Sequence, residues 1–555
     1  MKAPFRGSLW WLLLLLGLVS CGKAPDVSKD EVPAGALKLL FTYGSEKEDW
    51  VKAVTVEFNR LGSRTASGKS VYVEAVAKGS GELIDDLLSG VSQAHLASPA
   101  SAAFIQSGNA RARARNGRDL IGPTENLLLS PVVIAMWKPM AEAIGWGKKP
   151  VGWSDILALA TNEQGWAAHG YPQWGQFKFG HTHPQFSNSG LISLFAEVYA
   201  ASGKTSGLNQ HDIEKTAAFL SSIEKSVVHY GSSTGFFGKK MFANGPEYLS
   251  ASVLYENMVI ESYLPKYQMP FPIVALYPKE GAFWTDHPVG IVQGDWVTAE
   301  QKEAAKIYIA YLLARPQQEK AMEFGFRPAA VDVPLRAPLD VAHGIDPREP
   351  KTTLEVPTPE IMDAIVGLWR ANKKHSDIAL VFDTSGSMKE NNRISSARVG
   401  ALELLRLLDD EDSFLLVPFS QTVLSVGNSA PLKQIRDQSQ RQIESLFPAG
   451  GTALYDAISR TFAKQIQVSK GSGKISAIVV LTDGADTNSS IKLDALLKQI
   501  RSDNENSSIR VFTIGYDAEA QKEVLKKIAD ATQARFYEGN PQNIREVFKE
   551  IATFF

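Results

Sequence analysis

The feature that most constrains this chain is the segment 383–388, Asp-Thr-Ser-Gly-Ser-Met, which directly follows the mostly apolar residues 377–382. A buried strand that ends in a carboxylate and two hydroxyls, spaced Asp-x-Ser-x-Ser, can place three oxygen atoms around one hard cation. Mg²⁺ and similar ions prefer oxygen ligands in octahedral geometry and keep several of their waters. The segment therefore predicts a cation site at the end of a buried strand.

Two segments further along the chain can complete this site. Thr452 lies in the loop 449–454, which contains two glycines and runs into a predicted helix, and Asp483 follows the predicted apolar strand 475–480. In a parallel α/β sheet, ligands gather at the carboxyl ends of the strands, so the three segments can converge there. The alternative is that Asp383 and Ser385 only cap the next helix.

Together the three segments resemble the metal-ion-dependent adhesion site of a von Willebrand factor A (VWA) domain, with Asp383, Ser385, Ser387, Thr452 and Asp483 at the five positions of the pattern. The resemblance implies that the three hydroxyls bind a divalent ion directly, Mg²⁺ or another such as Mn²⁺ or Ca²⁺. It implies that the two aspartates act mostly through water and that a protein partner supplies an acidic residue to the last position. Because few anions then bind directly, the ion stays electrophilic toward the partner.

The only cysteine of the chain, Cys21, ends a segment that resembles a bacterial lipoprotein signal peptide, residues 1–21. A basic start precedes the apolar residues 9–19, which are too few to span a bilayer, and then comes the sequence Leu-Val-Ser-Cys. The resemblance implies a lipidated Cys21 that anchors the protein to a membrane of the bacterial cell envelope, facing the periplasm or the cell exterior. An ordinary cleaved signal peptide with a chance cysteine is the alternative.

After a polar tether, residues 22–36, predicted strands and helices alternate from residue 37 to about 335, which predicts a parallel α/β architecture. The order of the segments resembles the bacterial extracellular solute-binding proteins, as seen at 127–137, 180–184, 187–190, 255–257 and 325–328. The resemblance implies two lobes with a ligand held between them. We expect the chain to cross between the lobes near Ser130 and near Phe271.

A solute cleft of this kind is expected to use loops at helix starts, where free amides and the helix dipole favour anions. The expected ligand is a small molecule, and the candidates include an oxyanion. The candidate residues are Ser45, Ser80, Gly81, Ser98, Ser187, Asn188 and Ser189. Because Ser and Asn also cap helices throughout α/β proteins, capping alone is an equal alternative for each of them.

The remaining chain divides into a linker and a last domain. Residues 336–375 contain five prolines and one predicted helix, about 360–372. Residues 376–555 alternate near-continuous apolar strands with amphipathic helices, as expected for a sheet covered on both faces. The predicted fold class is therefore α/β, with a two-lobed periplasmic-binding-protein-like region followed by a doubly wound, Rossmann-like VWA domain.

Composition and motifs favour a binding protein. The chain has 58 basic and 60 acidic residues without a dominant basic tract, which argues against nucleic-acid binding. It contains no His-Glu-x-x-His or Walker motif, so we do not expect an enzyme. The leading hypothesis is an exported, lipid-anchored adapter that binds a protein partner through the metal. The alternative is the receptor subunit of an ABC-type importer, with the last domain as its docking module.

Overall fold

The computed structural model describes residue 32 and residues 34–423, 426–469, 472–501, 509–516 and 520–555. The predicted signal peptide, Cys21 and most of the tether lie outside the described residues. Within the described ranges, no helix has the length and apolar character needed to cross a bilayer.

The described residues before 358 form twelve strands and twelve α-helices. Its strands are β1 (Leu37–Gly44), β2 (Val71–Lys78), β3 (Leu96–Ser98), β4 (Ile121–Asn126), β5 (Leu128–Trp137), β6 (Phe179–Thr182), β7 (Val227–Gly231), β8 (Ala251–Tyr255), β9 (Ile273–Leu276), β10 (Trp284–Thr285), β11 (Pro288–Val292) and β12 (Arg327–Pro328). Its helices are α1 (Glu48–Leu61), α2 (Ser80–Ser89), α3 (Ala102–Asn116), α4 (Lys138–Ala143), α5 (Trp153–Ala160), α6 (Asn188–Ser202), α7 (Gln210–Lys215), α8 (Ala217–Glu224), α9 (Thr234–Asn244), α10 (Glu256–Glu261), α11 (Ala299–Leu313) and α12 (Arg315–Glu323).

These strands form two sheets, each the centre of one lobe. The first-lobe sheet has the order β2-β1-β3-β11-β4, and the second has the order β10-β5-β8-β6-β7 with β9 and β12 also paired to β5. The chain crosses to the second lobe between Asn126 and Leu128 and returns at 286–287, between β10 and β11. The prediction of a return near Phe271 is wrong, because β9, which follows it, still pairs with β5 along Ile273–Leu276.

The proline-rich stretch between the two regions packs on the second lobe. The guanidinium of Arg327 binds both carboxylate oxygens of Glu256 and donates to the carbonyl of Glu349 at 2.7 Å. A single helix, α13 (Pro359–Asn372), then packs against α6, α7 and α8 with Trp369 fully buried. This stretch is therefore a part of the folded body as well as a connection.

The last domain is built on one six-stranded sheet with the order β15-β14-β13-β16-β17-β18. Its strands are β13 (Ser376–Asp383), β14 (Ser413–Phe419), β15 (Ala430–Pro431), β16 (Ile475–Thr482), β17 (Arg510–Tyr516) and β18 (Phe536–Gly539). Its helices are α14 (Arg393–Leu407), α15 (Leu432–Ser445), α16 (Leu454–Ser469), α17 (Leu493–Ile500), α18 (Lys522–Asp530) and α19 (Ile544–Ala552). The central strands β13 and β16 are parallel and buried along their whole length. Since both end at the same edge, the residues after them meet there.

Candidate functional site

Backbone hydrogen bonds hold three loops together at the carboxyl edge of the last sheet. The amide of Thr384 donates to Phe419 at the end of β14, and the carbonyl of Thr384 accepts from Ala449 at 2.7 Å. The amide of Gly386 donates to the carbonyl of Gly450 at 2.9 Å. A side chain at Gly386 would have its Cβ 3.3 Å from that same carbonyl oxygen, so a small residue suits the contact.

Four of the predicted oxygen-bearing side chains line one rim. The hydroxyl oxygens of Ser385 and Ser387 lie 3.1 Å apart, and Ser387 donates to the Oδ1 atom of Asp483 at 2.7 Å. Thr452 reaches the same place, since its Oγ1 atom and the Oγ atom of Ser387 lie 3.8 and 3.9 Å from the position a Cβ would take at Gly484. The structure therefore brings residues from three separate loops to the same edge of the sheet.

Asp383 lies directly beneath this rim and is fully buried. The amide of Ser385 donates to its Oδ1 atom at 2.7 Å, and the hydroxyl of Thr482 donates to its Oδ2 atom at 2.5 Å. Burial raises the pKa of the Asp383 carboxyl to about 6, and these hydrogen bonds oppose the rise. The carboxylate is thus fixed in orientation by the end of β16 and by the loop that follows β13.

Three residues that hold the candidate ligands in place are not predicted by the Asp-x-Ser-x-Ser pattern. Thr482 orients Asp383, as described above. Arg393, the buried first residue of α14, donates to the Oδ2 atom of Asp483 at 3.0 Å. Asn488 accepts from the amide of Thr452 at 3.1 Å and thereby holds the third loop. The only sequence signal is position: Thr482 ends the strand before Asp483, and Arg393 begins the helix after the serines.

The donor set fits a hard divalent cation. All candidate ligands are oxygen atoms, and the three hydroxyls are neutral. The buried carboxylates of Asp383 and Asp483 and the buried guanidinium of Arg393 sum to a single net negative charge, and the exposed carboxylate of Glu390 lies 4.0 Å from that guanidinium. A divalent ion held here would keep excess positive charge. No cluster of three or more His, Cys, Asp or Glu side chains suited to a metal occurs among the described residues.

The seven predicted cleft residues lie at the boundary between the two lobes. Six are buried, and Ser45 is half-buried. The amide of Gly81 donates to the carbonyl of Phe186 at 2.9 Å, and Ser45 accepts from the amide of Gly235 at 3.2 Å. In both contacts a first-lobe residue meets a second-lobe residue.

The other cleft residues are engaged within their own lobe or with the crossing segment. Ser80 accepts from the amide of Ala100 at 3.0 Å, and Ser98 donates to the carbonyl of His287. In the second lobe, Thr234 contacts the hydroxyls of Ser187 and Ser189, and Asn188 donates to Tyr255. The structure gathers the predicted residues but pairs most of their polar groups with the protein itself.

Two family models match the chain. The von Willebrand factor type A domain matches residues 377–550, and the bacterial extracellular solute-binding protein family matches residues 127–342. No protein of curated function matches. Proteins of these two families are generally binding proteins, and the extracellular solute-binding family implies a secreted or envelope location.

Several solved structures are similar to parts of the chain. A von Willebrand factor type A protein from Catenulispora acidiphila is 21% identical over 33% of this chain, with a TM-score of 0.29, and the match spans 43% of that protein's length. The sulfate-binding protein SubI from Mycobacterium tuberculosis is 16% identical, with 53% of this chain and 88% of that chain covered and a TM-score of 0.37. A ferric binding protein from Campylobacter jejuni is 12% identical, with 60% and 97% covered and a TM-score of 0.41.

The order of the two matched segments agrees with the order of the sheets. The solute-binding match lies within the two-lobed region, and the VWA match covers the six-stranded sheet. The chain therefore joins a region of the bacterial extracellular solute-binding protein family to a von Willebrand factor type A domain.

Proposed function

We propose that the VWA domain binds an acidic residue of a protein partner through a divalent cation. VWA domains often bind a divalent metal, and the residues present fit one. In this proposal Ser385, Ser387 and Thr452 contact the ion, while Asp383 and Asp483 act mostly through water. The observation that carries it is the convergence of Ser385, Ser387 and Asp483, at spacings of 3.1 and 2.7 Å, at the carboxyl edge of the sheet, where Ser387 is half-buried and the other two are buried.

The charge balance at the rim gives this proposal its physical basis. Arg393 is always protonated and holds one oxygen of Asp483, so it offsets one of the two negative charges. A bound divalent ion, Mg²⁺ or else Mn²⁺ or Ca²⁺, would retain a net positive charge at the surface. A carboxylate from a partner would then bind the ion as its remaining ligand, since hard cations prefer charged oxygen.

The rest of the chain presents this domain from the cell envelope. In the proposal Cys21 is lipidated and anchors the protein, and the two-lobed region, residues 37–335, binds or once bound a small solute such as an oxyanion. The VWA domain occupies residues 376–555. In the importer-receptor alternative, the contacts of Gly81 and Gly235 across the lobes would have to break each time solute is exchanged.

Thermal unfolding of the purified protein with and without Mg²⁺ tests the metal site. At an ion concentration of about 100 times Kd, binding should stabilise the folded protein by about 2.7 kcal/mol. Ser387→Ala and Thr452→Ala should lose this gain. The matched control is Ser445→Ala on α15, whose exposed hydroxyl donates to the carbonyl of Gln442. A gain that persists in the Ser387→Ala, Thr452→Ala double variant would exclude the site.

Recovery of a protein partner from envelope extract tests the adhesion step. The wild-type protein should retain the partner in Mg²⁺ and release it in a chelator. The Thr452→Ala variant should fail to retain it in either condition, whereas Ser445→Ala should behave as the wild type. Retention that is independent of the metal would contradict the proposed role of the ion.

A further inference from the structure

The boundary between the two lobes is closed by backbone contacts that only glycine permits. The carbonyl of Phe186 accepts from the amides of Gly81 and Glu82, at 2.9 and 3.3 Å. A Cβ at Gly81 would lie 1.8 Å from the carbonyl oxygen of Gln185, and a Cβ at Gly79 would lie 2.4 Å from that of Phe186. Any larger residue at Gly79 or Gly81 would hold the lobes apart. We call this close contact between the backbones of residues 79–82 and 185–186 the seam.

The second lobe makes the same kind of contact elsewhere along the boundary. A Cβ at Gly235 would lie 2.7 Å from the carbonyl oxygen of Ser45, and the amide of Gly235 donates to the Ser45 hydroxyl. The side chain of Asn257 donates to the carbonyl of Glu46 at 3.2 Å. Opening the lobes therefore breaks several hydrogen bonds at once.

The VWA domain faces this seam. A cavity of about 780 Å³ is lined by Gly79 and Phe186 of the seam together with Arg535, Tyr537 and other residues of the VWA domain. The domain contacts the first lobe through Lys549 on α19, whose Nζ atom lies 3.3 Å from the Oδ1 atom of Asp86 on α2. Both side chains are largely buried, which distinguishes this ion pair from a solvated surface pair.

The residues after α19 contact the second lobe. The ring of Phe554 stacks on that of His229, with centroids 4.4 Å apart and planes 18° apart. The carbonyl of Phe554 accepts from the amide of Tyr230 at 3.3 Å. The carbonyl of Phe555 accepts from Lys373 at 2.7 Å, which fixes the end of the chain against the stretch that follows α13.

We propose that α19 and the residues 553–555 form a latch that holds the two lobes closed. This short segment contacts α2 of the first lobe and β7 of the second, so the lobes can separate only if one of these contacts breaks. Opening of the solute cleft and docking of the VWA domain are therefore coupled, and the coupling acts in both directions. The proposal does not depend on the metal site.

Hydrogen exchange of the full chain, followed by mass spectrometry, provides separate readouts for the two halves of the latch. The amides of Gly81 and Glu82 lie in the first turn of α2, where no partner exists within the helix, so their protection reports closure of the seam. The amide of Tyr230 reports docking of the Phe554 carbonyl.

Lys549→Met and Phe554→Ala should each increase the exchange rate at Gly81 and Glu82 by roughly 5- to 150-fold, the usual range of coupling between sites. In Gly235→Ala the added Cβ would collide with the carbonyl oxygen of Ser45 and separate the lobes. This variant should therefore raise the exchange rate at Tyr230 in the same range. Exchange in the buried strands β1 and β13 should stay unchanged, which shows that the variants fold. Lys549→Arg should restore protection.

The matched control is Lys498→Met on α17, an exposed lysine of the same domain. It should leave all three amides protected. If the Phe554→Ala and Lys549→Met variants expose the Tyr230 amide but leave Gly81 and Glu82 protected, the VWA domain docks without latching the lobes and the proposal is wrong. Exchange at Tyr230 that is unaffected by Gly235→Ala would equally overturn the reciprocal coupling.

Discussion

Lys240, on α9, is a buried cation whose replacement should stabilise this protein. Its Nζ atom is shielded from solvent, has no hydrogen-bond partner in the described part of the chain and lies 4.5 Å from the ring centroid of Phe554. Burial, reinforced by the positive charges of Arg510 and Arg535 and opposed by Glu550, lowers the pKa of Lys240 to about 7.

The pKa of Lys240 sets the size of the effect. One pKa unit corresponds to about 1.4 kcal/mol, so keeping this lysine in its folded position at pH 7 costs roughly 4 kcal/mol. The cation–π contact with Phe554 offsets at most about 1–2 kcal/mol of that cost. Lys240→Met keeps much of the aliphatic side chain without the charge. It should therefore raise the free energy of unfolding at pH 7 by roughly 2–3 kcal/mol.

The pH dependence has a definite sign. The pKa of Lys240 is lower in the folded than in the unfolded protein, so stability is lost as pH falls from the ordinary lysine value of 10.5 toward 7, and no more is lost below that. The wild-type protein should thus gain roughly 2 kcal/mol between pH 7 and pH 9. The Lys240→Met variant should lack this gain.

Urea unfolding of the full chain at pH 7 and pH 9 measures both effects. The matched control is Lys239→Met, because Lys239 is the neighbouring lysine and lies near the carboxylates of Glu48 and Glu261, at 3.6 and 3.9 Å. It should not stabilise the protein at either pH. If Lys240→Met is neutral or destabilising at pH 7, or if it shows the same pH dependence as the wild type, the assignment of a buried, destabilising charge is refuted.

Two further replacements test how the stretch between the regions is fixed. Arg327→Lys should destabilise the protein by roughly 2–4 kcal/mol in urea unfolding, because lysine cannot bind Glu256 in the bidentate manner and leaves a buried carboxylate poorly paired. Unchanged stability would show that the pair is dispensable. Trp369→Ala should cost roughly 3–5 kcal/mol, since this fully buried side chain also donates to Glu224 at 3.2 Å. Limited proteolysis should then cut near α13, and resistance equal to the wild type would contradict its role as an anchor.

The parts of the fold that follow from local patterns were predictable from the sequence. The apolar runs before Asp383 and before Asp483 are buried, parallel strands of one sheet. The loop that contains Thr452 contacts the residues that follow the first of these strands. These features depend on short stretches of chain with a clear change from apolar to polar residues. The neighbours that orient them, Thr482 and Arg393, depend on which strands and helices meet, which no short pattern encodes.

The second lobe crossing shows the same limit. Residues near Phe271 precede a strand of four residues, whereas the true return follows β10, a strand of only two residues. A two-residue strand carries almost no periodic signal, and its existence depends on pairing with Ser130 and Pro131 far away in the chain. His287, at the return, also has a φ of 40°, which residue type alone does not predict.

The sequence leaves two interpretations of Gly81 open: contact with an anionic solute, or only a place at the start of a helix. Its position in the seam is compatible with both. The first-turn amides of α2 are donors that suit an anion, and the carbonyl of Phe186 now accepts from two of them. A neutral hydrogen bond of this kind contributes about 1 kcal/mol, whereas one to a charged group contributes roughly 1.5–3 kcal/mol. An anionic solute could therefore displace Phe186, but only after the lobes separate. Its apparent affinity would then equal its affinity for the open form multiplied by the fraction of molecules that are open. Release of α19 from Asp86 increases this fraction, so it should tighten the binding of any such solute.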